Sequence, residues 1–139
     1  MNPYSYKKIC VLVFLAALWL LGCSHSQVVD VHELSALEAK TLIDQNRGKS
    51  DFVILDLRTP KEFASGHIEG AVMLDYYSPG FQQGLQQLDR SKRYLIYCRT
   101  GNRSSRTLRL IDQMGFKSVY HLKDGIVDWN RQKLPLAKL

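Results

Sequence analysis

Four short apolar runs recur along the chain, each bounded by polar or turn-forming residues. They are Phe52-Val53-Ile54-Leu55, Ala71-Val72-Met73-Leu74, Tyr94-Leu95-Ile96-Tyr97 and Val119-Tyr120-His121-Leu122. A continuous apolar run such as Phe52-Val53-Ile54-Leu55 predicts a strand buried on both faces, as in a parallel sheet, and the other three read as strands beside it. The intervening segments carry helix signals. Ser35-Ala36-Leu37-Glu38 has the spacing of a capping box, with Leu37, Thr41 and Leu42 on one side of a helix that runs to about Asn46 and ends at Arg47-Gly48-Lys49. Thr59-Pro60-Lys61-Glu62 is a second capping box, with proline at the first helical position, and Gly66 offers a left-handed stop. Phe81 to Leu88 predicts a third helix, weakened by Gly84. Ser104 to Met114 predicts a fourth, with Leu108, Ile111 and Met114 at helical spacing and Gly115 closing it. Asp124-Gly125 turns into a last helix that holds Trp129 and ends near Leu134-Pro135. Strands alternating with helices imply a parallel α/β sheet covered on both faces. Ligands bind such sheets at the carboxyl ends of the strands, and Cys98 stands at one of them.

The N-terminus departs from this pattern. Lys7 and Lys8 precede an apolar run of 13 residues, Ile9 to Leu21, in a chain of 139. A spanning helix needs about 20 apolar residues, so a signal peptide fits better than an anchor helix. Leu20-Leu21-Gly22-Cys23 resembles the lipobox of bacterial lipoproteins, whose signal peptidase cuts before a lipid-modified cysteine. The organisation that follows is a signal peptide over 1–22, a lipidated Cys23 and polar tether over 23–30, and one domain over 31–139. Ser24 after the cysteine resembles outer-membrane sorting and a periplasm-facing protein. Removal of 22 residues with two lysines leaves 117 residues and lowers the formal charge from +6 to +4. The domain is large enough for one core. Neither a Lys/Arg run nor a basic-aromatic stripe points to nucleic acid, and a mildly basic surface favours small anions or an anionic membrane.

Cysteine usage sharpens the chemistry. Cys10 leaves with the signal and Cys23 is lipidated, so Cys98 is the one free thiol of the mature chain. It has no partner for a disulfide or a thiolate metal pair. No histidine pairs with a carboxylate at ligand spacing, and no metal or other cofactor is expected. A free cysteine titrates at about 8.5, and only its thiolate is a nucleophile. The stretch Cys98-Arg99-Thr100-Gly101-Asn102-Arg103-Ser104 passes from strand to helix within a few residues. Its backbone N–H groups can form an anion-binding nest around the sulfur, reinforced by the helix dipole and by Arg99 and Arg103. Gly101 permits the tight loop. The bland alternative is a buried structural cysteine beside solvated arginines.

Four stretches together are similar to the single-domain rhodaneses. These are Leu55-Asp56-Leu57-Arg58; Glu62-Phe63 with Gly66-His67-Ile68-Glu69-Gly70-Ala71; Tyr97 to Ser104; and Leu122-Lys123-Asp124-Gly125 with Trp129. The likeness spans about residues 31 to 137. It implies a rhodanese-like α/β fold, with a five-stranded parallel sheet and helices on both faces. It also implies a sulfurtransferase in which Cys98 takes up a sulfane sulfur from a small anionic donor such as thiosulfate. The Cys98 persulfide is then handed to a thiol or cyanide-like acceptor, a protein thiol included. Arg99, Thr100, Gly101, Asn102 and Arg103 would cradle the persulfide and donor, and Ser104 would cap the helix and bond the loop. Many members carry Gly-Gly before the last helix where this chain has Gly125-Ile126.

Loop length separates neighbouring chemistries. Cysteine phosphatases have a cysteine, five residues and then an arginine that forks two phosphate oxygens. Here four residues lie between Cys98 and Arg103, and Ser104 holds the phosphatase arginine's place. A Cys-dependent phosphatase or arsenate reductase, or a non-catalytic persulfide-binding module, remain as alternatives. Asp56 and Arg58 either shape the site or form a buried ion pair tying strand to loop, the second being favoured. His67 is expected to bond backbone groups, and His121 to be a packed or edge residue. Trp129 and Phe63 read as core.

Overall fold

The computed structural model describes residues 29–139; the stretch expected to be a signal peptide, 1–22, and the expected lipidation site Cys23 lie outside the described residues. The elements in chain order are β1 (Asp30–Leu34), α1 (Ala36–Gln45), β2 (Phe52–Asp56), α2 (Pro60–Ser65), β3 (Val72–Met73), α3 (Phe81–Gln86), β4 (Arg93–Tyr97), α4 (Asn102–Asp112), β5 (Ser118–Leu122) and α5 (Gly125–Arg131). The strands form one parallel sheet in the order β1-β5-β4-β2-β3. β4 is therefore central, and Cys98 directly follows its last residue.

Side chains alternate across the sheet, which sorts the core into two layers. On one face Leu55, Tyr94, Ile96, Cys98 and Val119 pack with Phe81 and Leu85 of α3 and Ile111 of α4. On the other, Ile54, Leu95, Tyr97 and Leu122 pack with Ala36 and Ala39 of α1 and Ile126 and Trp129 of α5. This alternation turns Cys98 towards α4. Both capping boxes form: Ser35 with Glu38, and Thr59 with Glu62.

Five details differ from the sequence reading. β1 begins at Asp30, inside the stretch assigned to the tether; it is a largely exposed edge strand whose polar DVHEL sequence gives no apolar run. α1 buries Ala36 and Ala39, while Leu37 and Thr41 face solvent. Small residues let α1 approach α5 closely, and the Ala36 N–H donates to the buried Asp128 carboxylate at 3.1 Å. β3 shortens to two exposed residues. Gly66 closes α2 with φ 148° and ψ 134°, outside the left-handed helical well. α4 starts at Asn102, two residues early, with Gly101 as its cap residue at φ 89°. Ser104 consequently sits within the first turn and does not cap it.

Candidate active site

Two glycines let the Cys98 loop touch the β5–α5 loop. A side chain at Gly101 would place its Cβ 1.8 Å from the Lys123 carbonyl oxygen, and one at Gly125 would come within 2.5 Å of the Arg99 carbonyl. Both residues have positive φ, 89° and 61°. The contact is stitched by two backbone hydrogen bonds: Ile126 N–H donates to Cys98 O (2.9 Å), and Val127 N–H to Arg99 O (3.1 Å). Gly125 is thus pressed against the loop, and Ile126 beside it fills the core at 4% exposure.

The Cys98 thiol is 1% exposed. Burial pushes its pKa up, but hydrogen bonds from the Ser104 side chain and from the backbone N–H groups of Ser104, Thr100 and Arg103 outweigh it. The thiol ends below its ordinary value. Donors converging on one sulfur stabilise the anion, whether thiolate or an anion attached to it.

Ser104 Oγ lies 3.4 Å from Cys98 Sγ and 3.0 Å from the Gly101 carbonyl oxygen. It also lies 2.7 Å from His121 Nε2. His121 Nδ1 in turn sits 2.9 Å from Glu33 Oε1, across the paired edge strand. His121 is packed, as its mid-strand place suggested, but its partners are polar. Neither this pairing nor the role of Glu33 is evident from the sequence. The available signal is the histidine itself, a titratable group inside an apolar strand run.

The loop's other residues divide. Arg99, Thr100 and Asn102 are exposed at the mouth of the loop, and Gly101 is buried. Arg103 is not open to solvent: its Nη1 and Nη2 fork the Glu62 carboxylate at 2.9 and 2.7 Å, and its guanidinium lies 5.4 Å from the Tyr77 ring. Glu62 also accepts from the Thr59 N–H and hydroxyl, so one carboxylate caps α2 and clamps α4. The Arg103 hydrogen bonds hold the Glu62 pKa down against the opposing effect of burial, to about 2. These partners are 41 residues apart, beyond the reach of any local pattern.

Asp56 and Arg58 form the buried ion pair anticipated from their positions. Arg58 Nη2 donates to Asp56 Oδ2 at 2.7 Å and to the Gly66 carbonyl at 2.8 Å, with both residues under 5% exposed. Leu57 N–H donates to Tyr97 O at 2.9 Å, so the pair braces the end of β2 beside the residue that precedes Cys98. His67 Nδ1 lies 3.0 Å from the Phe63 carbonyl, and its ring stacks on Phe63, which is half-buried rather than core. Among the described residues, no group of three or more His, Cys, Asp or Glu could hold a metal, and no helix is long and apolar enough to cross a membrane.

Residues 35–132 match the family described as Rhodanese-like domain. The chain is similar to a protein named Sulfurtransferase from Allochromatium vinosum, 28% identical over 104 residues that cover 75% of this chain and 95% of that one. It is also 32% identical over 98 residues to the "Probable adenylyltransferase/sulfurtransferase MoeZ" of Mycobacterium tuberculosis. That match covers 70% of this chain but only 24% of MoeZ, so the chain spans about a quarter of that relative. Among solved structures, a rhodanese-related protein from Thermoplasma volcanium superposes with a TM-score of 0.62 at 24% identity, covering 76% of this chain and 97% of that one. This last likeness speaks to the fold.

Proposed function

The chain belongs to the rhodanese-like domain family, and from that premise we propose that it is a sulfurtransferase with Cys98 as the sulfur carrier. One observation carries the reading: a buried thiol at the end of the central strand, ringed by backbone N–H groups and a serine hydroxyl that hold its pKa down. The Cys98 thiolate attacks the outer sulfur of a donor such as thiosulfate. The donor's S–S bond breaks, sulfite leaves with the electron pair, and the terminal sulfur stays as a Cys98 persulfide. A thiol or cyanide-like acceptor then attacks that outer sulfur and regenerates the thiolate. Each step moves charge between sulfur atoms within the same cradle of donors, which is where electrostatic stabilisation acts. No proton is removed from the attacking atom once it is a thiolate.

The clamp on Arg103 bears on the phosphatase alternative. An arginine whose two terminal nitrogens already fork a carboxylate is not free to fork a phosphate. Arg99, Thr100 and Asn102 are left to meet an anionic donor at the mouth of the loop, while Gly101 gives the loop its shape and Ser104 donates to sulfur. Asp56 and Arg58 support the site from behind. The localisation we propose is the bacterial envelope, through a lipid on Cys23; globomycin should leave an uncleaved precursor if this holds.

The test is thiocyanate formation from thiosulfate and cyanide, with wild type and Cys98→Ser. Activity abolished in the variant, together with one sulfur added to Cys98 in the mass spectrum after thiosulfate, supports the proposal. Hydrolysis of an aryl phosphate at a comparable rate, or no added sulfur, overturns it.

A further inference from the structure

Glu33, His121, Ser104 and Cys98 form a continuous chain of polar atoms running from solvent to the buried sulfur. The Glu33 side chain is 54% exposed at the edge strand, and the His121 side chain is 2% exposed. Successive separations are 2.9 Å (Glu33 Oε1 to His121 Nδ1), 2.7 Å (His121 Nε2 to Ser104 Oγ) and 3.4 Å (Ser104 Oγ to Cys98 Sγ). Sheet geometry explains why they meet. Glu33 and His121 are register partners on adjacent parallel strands, and His121 lies two residues from Val119, on the same sheet face as Cys98 and the start of α4. A histidine buried in an apolar strand needs polar partners to offset its desolvation, and both its ring nitrogens have one.

We propose that His121, acting through Ser104, is the proton acceptor that converts the buried Cys98 thiol to its thiolate, and that Glu33 holds the imidazole in the tautomer able to accept. The inference rests on Cys98 being the sulfur carrier. Its logic is a count of hydrogens. A carboxylate offers only acceptors, so the Glu33 contact requires a proton on Nδ1. In the neutral imidazole Nε2 is then bare and can only accept, and the short Ser104 contact supplies the serine hydroxyl proton. That hydroxyl has one proton to give, and its other neighbours are the Gly101 carbonyl and the Cys98 sulfur. With its hydrogen turned to His121, Ser104 presents a lone pair to the thiol.

Proton transfer along this line is balanced. The Cys98 S–H bond breaks and its proton passes to Ser104 Oγ as the serine proton passes to His121 Nε2; sulfur keeps the electron pair. The products are a thiolate, an unchanged serine now donating to sulfur, and an imidazolium beside the Glu33 carboxylate. Nothing is oxidised or reduced. The same shift reorients the Ser104 hydroxyl towards the anion that needs it, including the persulfide formed later. The groups that face the imidazole are Glu33 from β1, Ser104 from α4 and, beyond Ser104, Cys98 after β4; its register partner on β4 is the apolar Ile96.

His121 is a positioning residue, since it reaches the sulfur only through Ser104. The readout is the rate of Cys98 alkylation by iodoacetamide against pH, which reports thiolate without any sulfur donor. In His121→Gln the side chain can still hydrogen-bond Ser104 but cannot take a proton. The profile should move to higher pH by about one unit, with alkylation roughly tenfold slower near pH 6 and restored to the wild-type rate at alkaline pH. Glu33→Gln, at a half-exposed position, should move it the same way by less. A His121→Gln profile that superimposes on wild type, or moves to lower pH, overturns the relay. If that variant does not fold, as judged by circular dichroism, an unchanged Glu33→Gln profile overturns it. Failure of the sulfur-carrier reading looks different: the profiles shift, but the wild type forms no thiocyanate.

Discussion

Gly101→Ala tests whether the two-loop contact sets the geometry of the thiol. The substitution meets two obstacles. The residue has φ 89° and ψ −21°, a backbone state that costs an L side chain about 1–2 kcal/mol. Its Cβ would also lie 1.8 Å from the Lys123 carbonyl oxygen, a backbone atom that no rotamer change can remove. One loop must retreat by more than an ångström, which breaks the Ile126–Cys98 and Val127–Arg99 backbone bonds, each worth about 1 kcal/mol. Together these give a destabilisation of roughly 3–4 kcal/mol. With a urea slope of about 2 kcal/mol/M, the midpoint should fall by about 1.5–2 M. A shift of that size at the sulfur should slow single-turnover loading of Cys98 from thiosulfate by about 100-fold or more. Gly48→Ala is the matched control. Its φ is 77°, but a Cβ there meets nothing within 4 Å, so it should cost only about 1 kcal/mol and leave loading unchanged. If Gly101→Ala behaves like Gly48→Ala in both assays, the close approach does not govern the site and the reasoning is wrong.

Asp56→Ala strands the buried Arg58 guanidinium and should cost about 3–5 kcal/mol in urea unfolding, while the Asp56→Leu/Arg58→Met double variant recovers most of it. A double variant no more stable than the single would show that the stranded charge is not the cause. The Glu62 carboxylate, lowered from 4.5 to about 2, contributes stability that is fully present above pH 4.5 and is lost as the pH falls through about 2. After discounting for its partial exposure, this amounts to about 1 kcal/mol. Glu62→Gln should flatten the decline of the urea midpoint between pH 5 and pH 3, and an equally steep decline in the variant would refute the assignment.

What the chain spells out locally, the fold obeys. Ser35 with Glu38 and Thr59 with Glu62 close both capping boxes because each box lies within one turn and needs no distant partner. Three of the four apolar runs become five-residue strands because such runs can be satisfied only between two covering layers. β1 escaped notice for the opposite reason: an edge strand buries little, so DVHEL carries no apolar signature. The α1 face was misread because Leu37 is more apolar than Ala36, yet contact with α5 selects for smallness. At the site, Cys98 and its loop were legible as a contiguous motif. Glu62 on Arg103, and Glu33 on His121, were not, since each pair is joined only by the sheet's crossovers.

The strand order also dictates how the molecule can be assembled from its N-terminus. β1 has a single neighbour, β5, which is the last strand to be made. A chain that becomes available from its N-terminus, whether from the ribosome or after crossing a membrane, can pair β2, β3 and β4 early, but its first strand must wait, unpartnered, until Ser118–Leu122 arrives and slots between β1 and β4. The sulfur-bearing loop precedes in the chain the β5–α5 segment that encloses it. Until β5 is in place the thiol lacks part of its cover, and docking of the fifth strand both closes the sheet and completes the packing around the sulfur.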